Sequence, residues 1–260
     1  MTALATVDLE LIESHDIDRR VARHAAAIDR RACAADFARQ GSFVSLASFL
    51  PDDVTARLIA SARALVPEIN RNYLPGHKKG GSVSRHVIDR LAPDIAGLYR
   101  SKALRAFLEE TCGEPLQPCP PDDPHAYALY YYSRPGDHIG WHYDTSYYDG
   151  RRYTLLFGVV DESSCLLDYE LHTREQGVEV ESGSLRISPG GLVFFDGDKL
   201  RHRITPAAEG DFRVSLTFEY VTDPGMRPWR RFVSNMKDAV AYFGFRQLLR
   251  GGVRLDAARR

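Results

Sequence analysis

The sequence is poor in most features that mark a specialised class of chain. It holds four cysteines, Cys33, Cys112, Cys119 and Cys165, and no two form a Cys-x-x-Cys pair. That spacing excludes a zinc ribbon and a thioredoxin-like dithiol, and reads as free thiols in a reducing compartment. Neither sign of charge is in excess: 34 Lys+Arg against 35 Asp+Glu leaves a net −1. A dedicated nucleic-acid binder carries a basic surplus, so the balance argues against that partner while leaving room for a local basic groove. No apolar run approaches the ~20 residues that span a bilayer. The first residues lack an apolar signal core, and Asp8, Glu10, Glu13, Asp16 and Asp18 do not suit a transit peptide. The expectation is a cytoplasmic protein. Repeats and low-complexity tracts are lacking too, which argues against a solenoid.

What is present is ordinary globular material: 260 residues, 44% hydrophobic and 27% charged, enough to bury a core without staples in one large domain or two small ones. The first half reads as helical. From Asp18 to Phe37, Val21, Ala25, Ile28 and Ala32 recur at helical spacing, with Arg19-Arg20 and Arg30-Arg31 on a solvated face. Ser42 to Leu46 reads as a short strand. Pro51-Asp52-Asp53 then opens a helix whose buried stripe would be Val54, Leu58, Ala62 and Leu65. Gly76 to Ser84 reads as a polar, glycine-rich loop without phosphate-loop spacing. Ala92 to Cys112 suggests one or two more helices, and the proline-rich Pro115–Pro124 stretch is the best candidate boundary between the halves.

Beyond it the period changes to two. Ala126–Tyr132, Tyr153–Val160, Leu166–Leu171, Ser184–Ile187, Leu192–Phe195, His202–Thr205 and Phe212–Val221 read as short strands punctuated by turn residues, the pattern of a sandwich or jelly roll. Trp229 to Leu249 returns to a helical pattern, with Gly251-Gly252 as its stop.

The segment Gly136-Asp-His-Ile-Gly-Trp-His-Tyr-Asp144 carries the chemistry. Residues two apart on an extended chain face the same way, so His142 and Asp144 would point together. They supply part of a two-histidine, one-carboxylate facial triad, which leaves positions open on Fe(II). His202, on a later strand, is the candidate third ligand. On the last strand Arg213, Ser215 and Thr217 share one face, opposite Val214, Leu216 and Phe218. A buried guanidinium needs an anion, either the far carboxylate of a dicarboxylic cosubstrate, gripped beside the serine hydroxyl, or a nearby acid such as Glu219.

His-x-Asp, a distal histidine and Arg-x-Ser eleven residues after it together resemble the Fe(II)/2-oxoglutarate-dependent dioxygenases. The likeness runs from about Tyr130 to Tyr220, with a looser echo in Phe43–Leu65. Within it, Tyr132 matches a position that often contacts the cosubstrate in prolyl-hydroxylase-like members, and Thr154 stands on a strand that often carries a threonine near it. Ser188-Pro-Gly-Gly to Asp198 resembles the strand and turn leading to the distal histidine. The resemblance implies a double-stranded β-helix (jelly roll), an α+β chain with a mainly β core, buttressed by N-terminal helices and closed by a C-terminal helix. It further implies that His142, Asp144 and His202 hold Fe(II), that Arg213 and Ser215 anchor 2-oxoglutarate, and that O2 is consumed with release of succinate and CO2, ascorbate being a candidate stimulant. The expected organisation is one domain over 1–260: helical support and substrate wall in 1–124, catalytic core in 125–222 and a helical extension in 223–260.

Departures from the family pattern refine the expectation. Ser163-Ser164-Cys165 stands where prolyl-hydroxylase-like members usually carry Gly-Gly, which weakens a prolyl substrate and leaves the alignment of 161–188 open. Halogenating members replace the carboxylate ligand with a small residue; Asp144 therefore favours hydroxylation. The nucleic-acid demethylase branch carries an asparagine where Ser215 stands and a second arginine near Glu219 and Tyr220. The expected enzyme is a hydroxylase of a small molecule. An oxygenase acting on a protein side chain or nucleic acid, and a non-catalytic metal- or sugar-binding jelly roll, are the alternatives. His138 shares strand parity with His142 but reads as a loop or substrate-edge residue, and His172 and His86 as surface or satisfied polar groups. Tyr130, Tyr131, Tyr147, Tyr148 and Trp141 are candidates for the pocket wall or for ordinary packing. Lys78, Lys79 and Arg85 would meet an anionic substrate or sit on a solvated loop.

Overall fold

The computed structural model describes residues 15–225. The helix expected from Trp229 to Leu249 lies outside the described residues. The chain begins with a helical layer: α1 (residues 15–25), α2 (Arg30–Arg39), α3 (Asp52–Ala64), α4 (Arg85–Leu91), α5 (Pro93–Tyr99) and α6 (Lys102–Cys112). Local chemistry sets their ends. Asp29 caps α2 by accepting from the Ala32 amide, Ser101 caps α6 by accepting from the Leu104 amide, and Gly113 closes α6 in the left-handed conformation. The α3 stripe is as expected, with Val54, Leu58, Ala62 and Leu65 all buried.

The strands are β1 (Phe43–Leu46), β2 (Asn70–Leu74), β3 (Lys78–Ser84), β4 (Gln117–Pro118), β5 (Tyr127–Tyr132), β6 (His138–His142), β7 (Arg152–Glu162), β8 (Leu167–Leu171), β9 (Glu181–Leu185), β10 (Leu192–Asp196), β11 (Arg201–Ile204) and β12 (Phe212–Val221). They form one sheet in the order β1-β10-β7-β12-β5-β3-β6-β11-β8-β9, with β2 added to β3 and β4 to β12. Paired strands are antiparallel. The sheet curls on itself, so strands distant in this order meet. Phe43 on β1 stacks on Tyr169 of β8 at 4.6 Å, and Phe195 on β10 packs against His202 of β11 at 4.9 Å. This is the expected jelly roll.

Strand alternation builds two cores. Leu192 and Phe194 of β10, Tyr153, Leu155 and Phe157 of β7, and Val214, Leu216 and Phe218 of β12 join the helices in the larger cluster. The intervening Val193, Phe195 and Leu156 enter a smaller cluster inside the roll with Tyr132, Ile139 and Ile204. Thus Arg213, Ser215, Thr217 and Glu219 of β12 have the parity of the roll interior, and all four are buried.

Several expectations are corrected. The single helix over Asp18–Phe37 is two, broken at residues 26–29 where the Asp29 cap restarts it, and Ala32 is exposed. Gly76–Ser84 is no loop but mostly β3, an interior strand between β5 and β6. Its glycines serve packing: a Cβ on Gly81 would stand 2.4 Å from Ile69 Cγ2. Lys78 is buried with its ammonium 4.5 Å from the Tyr130 ring centroid, Lys79 donates to the Pro135 carbonyl, and Arg85 donates to the Pro120 carbonyl. None of the three sits on a solvated loop. The strand expected at Ser184–Ile187 runs instead over Glu181–Leu185. Because β1, β2 and β3 precede the proline-rich stretch, the sheet draws strands from both sides of it.

Candidate metal centre

His142 ends β6 and His202 lies on β11; the two are direct cross-strand partners with ring centroids 4.2 Å apart. Asp144 follows two residues after His142. Its Oδ1 is 3.5 Å from His142 Nε2 and its Oδ2 is 3.7 Å from His202 Nε2. One ligating atom from each residue lies within 4.8 Å of the others, so the three groups converge. His142 Nδ1 is 2.8 Å from the Gly140 carbonyl and His202 Nδ1 is 3.4 Å from the Leu200 carbonyl. A carbonyl only accepts, so each Nδ1 carries the proton and each Nε2 presents a lone pair to the shared space.

Electrostatics suit a cation. Burial would raise the Asp144 carboxyl, but His202 and His142 beside it hold it well below the usual carboxylate range. Burial, with His142 adding to it, lowers His202 to about 4, which keeps that imidazole neutral. Two histidines and one carboxylate are the donor set of a facial Fe(II) site. Gly197, after β10, permits the geometry: a Cβ there would lie 2.4 Å from the Asp144 carbonyl oxygen.

Arg213 is 2% exposed, and its Nη1 and Nη2, with Ser215 Oγ, are buried without a hydrogen-bond partner among the described residues. Its guanidinium lies 5.7 Å from the Tyr132 ring centroid. Such a socket fits a small anion. Glu219 does not satisfy it, since its Oε2 instead accepts from Arg152 Nε at 2.8 Å and lies 2.9 Å from Thr154 Oγ1. Thr154 itself reaches Asp144 Oδ2 at 3.0 Å, so it stands behind the carboxylate rather than in the socket.

The three converging residues line a cavity of about 130 Å³ together with Tyr132, Ser215 and Thr217. Tyr130 and Tyr147 also line it, as do His77, His125, Tyr143, Arg152 and Glu219. Sequence reading did not single out His77, Arg152 and His125 as site residues, although Arg152 opens the family-like segment that carries Thr154 and His77 falls in the Gly76–Ser84 stretch expected to form pocket wall; His77 edges onto the His142 ring at 5.9 Å. Other candidates lie elsewhere. Tyr131 donates to the Ala62 carbonyl within the helical core, Tyr148 bonds Asp123, and Trp141 packs under Arg201 and Arg203. His138 is hydrogen-bonded to the Gly136 carbonyl, away from the trio. His172 pairs with Glu175, and His86 is exposed.

Comparisons with known proteins agree with this architecture. The family model described as Halogenase D matches residues 26–149. No curated protein matches. Among solved structures, the chain is similar to the non-heme alpha-ketoglutarate-dependent epimerase SnoN from nogalamycin biosynthesis, at 17% identity and TM-score 0.60 over 74% of this chain and 81% of that one. SnoN is also seen in complex with Fe3+, alpha-ketoglutarate and nogalamycin RO, at 15% identity and TM-score 0.61 over 75% of this chain and 83% of that one. A Pseudomonas putida prolyl-4-hydroxylase aligns at 20% identity and TM-score 0.57 over 75% of this chain and all (100%) of its own. AviO1 from Streptomyces viridochromogenes Tue57 aligns at 22% identity and TM-score 0.60, over 78% of this chain and 98% of that one. The chain thus shares the jelly-roll fold of these structures, with a His-Asp-His cluster lining its cavity.

Proposed function

We propose that this protein is an Fe(II)- and 2-oxoglutarate-dependent oxygenase that hydroxylates a C–H bond of a small molecule. The observation that carries the reading is the buried Arg213–Ser215 socket, on the strand face that lines the cavity of the converging His142, Asp144 and His202. A metal-binding jelly roll without this chemistry has no use for an orphaned guanidinium, which is expensive to bury. In this reading His142 and His202 ligate through Nε2 and Asp144 through its carboxylate. Arg213 grips the far carboxylate of 2-oxoglutarate, with the Ser215 hydroxyl and the Tyr132 ring beside it. When bound, the metal and cosubstrate supply O2 activation and oxidation of the substrate, with release of succinate and CO2.

The chain's own contribution is positioning and exclusion of water. Leu156, Ile139 and Ile204 form an apolar floor, while the tyrosines and histidines of the cavity supply polar contacts around the substrate. Ser163-Ser164-Cys165, standing where prolyl-hydroxylase-like members usually carry Gly-Gly, weakens a prolyl substrate. Nucleic acid is disfavoured by the balanced charge. Although the matching family model is named for a halogenase, Asp144 occupies the ligand position that a halide would need, which supports hydroxylation. The free state of Cys33, Cys112, Cys119 and Cys165 fits a reducing, cytoplasmic setting, and no described helix is long and apolar enough to cross a membrane.

The test is succinate formation from 2-oxoglutarate during a screen of small-molecule substrates. Turnover that requires Fe(II), O2 and 2-oxoglutarate, and that a true substrate raises together with an oxygenated product, is expected. A halogenated product in chloride buffer, or no succinate under any condition, would refute the reading.

A further inference from the structure

Behind Asp144 runs a chain of buried groups on β7 and β12. Thr154 Oγ1 lies 3.0 Å from Asp144 Oδ2 and 2.9 Å from Glu219 Oε2, and the same Glu219 oxygen accepts from Arg152 Nε at 2.8 Å. The register enforces this arrangement, since Thr154 and Glu219 are direct cross-strand partners. Thr154 is 0% and Glu219 3% exposed, so bulk water does not compete for these contacts.

Counting protons decides how the chain is wired. A hydroxyl has one proton but faces two carboxylates here. If Thr154 gives its proton to Glu219, Asp144 Oδ2 faces a bare oxygen lone pair at hydrogen-bond distance. If Thr154 donates to Asp144, its oxygen can only accept on the other side, and Glu219 must be the donor. A metal-binding carboxylate is ionised and has no proton to give. Only a neutral Glu219, donating to Thr154 while accepting from Arg152, satisfies every atom. Burial of Glu219 favours the neutral form, while Arg152 beside it favours the ionised one.

We propose that Thr154 and Glu219 are positioning residues for the metal centre: neutral Glu219, braced by Arg152, donates to Thr154, and Thr154 donates to Asp144 Oδ2, fixing the carboxylate toward His142 and His202. The proposal rests on the reading of those three residues as the metal site. It moves Thr154 from the cosubstrate, where the family resemblance puts it, to the ligand behind the metal.

The test uses calorimetric Co(II) titration of the whole protein without 2-oxoglutarate, with thermal melts to check folding. Thr154→Val keeps the shape and removes the donor, and should weaken Co(II) binding about 10- to 100-fold, the usual effect of losing such a partner. Thr154→Ser keeps the hydroxyl and should restore affinity to near wild type. Infrared difference spectra of Co(II)-loaded wild type against Glu219→Gln should contain the carbonyl band of a neutral carboxylic acid; this readout does not depend on whether Thr154→Val folds. Wild-type affinity in folded Thr154→Val, failure of Thr154→Ser to recover affinity, or a missing acid band would overturn the proposal. Failure of the wild type to bind Co(II) at all would instead overturn the reading of the metal site.

Discussion

His142 and His202 face each other across the β6–β11 pair with ring centroids 4.2 Å apart and both Nε2 atoms turned toward Asp144. Two imidazoles packed against a carboxylate are a donor set that could hold a divalent cation. Binding of a divalent ion to the folded state alone stabilises it, by about 2.7 kcal/mol at a hundredfold excess over Kd. Co(II) or Ni(II) should therefore raise the melting temperature of the wild type by several degrees, and His202→Ala should abolish the rise. Equal shifts in both proteins would place the metal elsewhere.

Arg213 predicts opposite effects on stability and on cosubstrate binding. Its guanidinium nitrogens are buried and unpartnered among the described residues, so Arg213→Met removes an uncompensated charge and should leave the protein as stable or more stable by about 1 kcal/mol in urea. The same change should raise the Kd for 2-oxoglutarate by about 100-fold, since a charge-assisted pair to the carboxylate is lost. Loss of stability together with unchanged 2-oxoglutarate binding would mean that Arg213 serves the fold.

Gly197 predicts a steric effect on the site. A Cβ at this position would stand 2.4 Å from the Asp144 carbonyl oxygen and 3.1 Å from Asp144 Cβ. Gly197→Ala must push the ligand segment outward, so metal affinity should fall at least tenfold, with a stability loss of about 1–3 kcal/mol. Crystals of the variant with Asp144 undisplaced would contradict this.

Glu219 gives a pH signature. Its carboxyl rises from an ordinary 4.5 to about 7, chiefly through burial. Between those values the unfolded chain has released a proton that the folded chain retains, so the Glu219 contribution to stability falls as pH rises through that window and levels off above it. Glu219→Gln carries no such proton. Its stability relative to wild type should improve from pH 5 to pH 8 by on the order of 1–3 kcal/mol, read from urea unfolding of the metal-free proteins. A flat difference across that range would show that Glu219 is ionised in the fold.

Much of this site was legible because its signals are local. His142 and Asp144 sit two apart on one strand end, and the period-two pattern of β12 correctly separates Arg213, Ser215 and Thr217 from Val214, Leu216 and Phe218. What could not be read is who faces whom across the roll. Glu219 has the same parity as Arg213, which made it a plausible partner, yet the pairing of β12 with β7 gives it to Thr154 and Arg152. β3 escaped notice because Lys78, Lys79, Gly80 and Gly81 have the composition of a loop; burial against Tyr130, Tyr131 and Ile69 makes them a strand. His77 and His125 reach the cavity only through the path of β3 and of the proline-rich stretch, and neither carries a spacing signal.

The metal and cosubstrate sites can be tested without knowing the substrate. Anaerobic addition of Fe(II) and 2-oxoglutarate should produce the visible charge-transfer absorption of an Fe(II)–2-oxo-acid chelate. The band should require both components, vanish in His202→Ala, and need far more 2-oxoglutarate in Arg213→Met. Absence of the band from the wild type, or its persistence unchanged in both variants, would contradict the assignment of the His142–Asp144–His202 centre and its Arg213 socket.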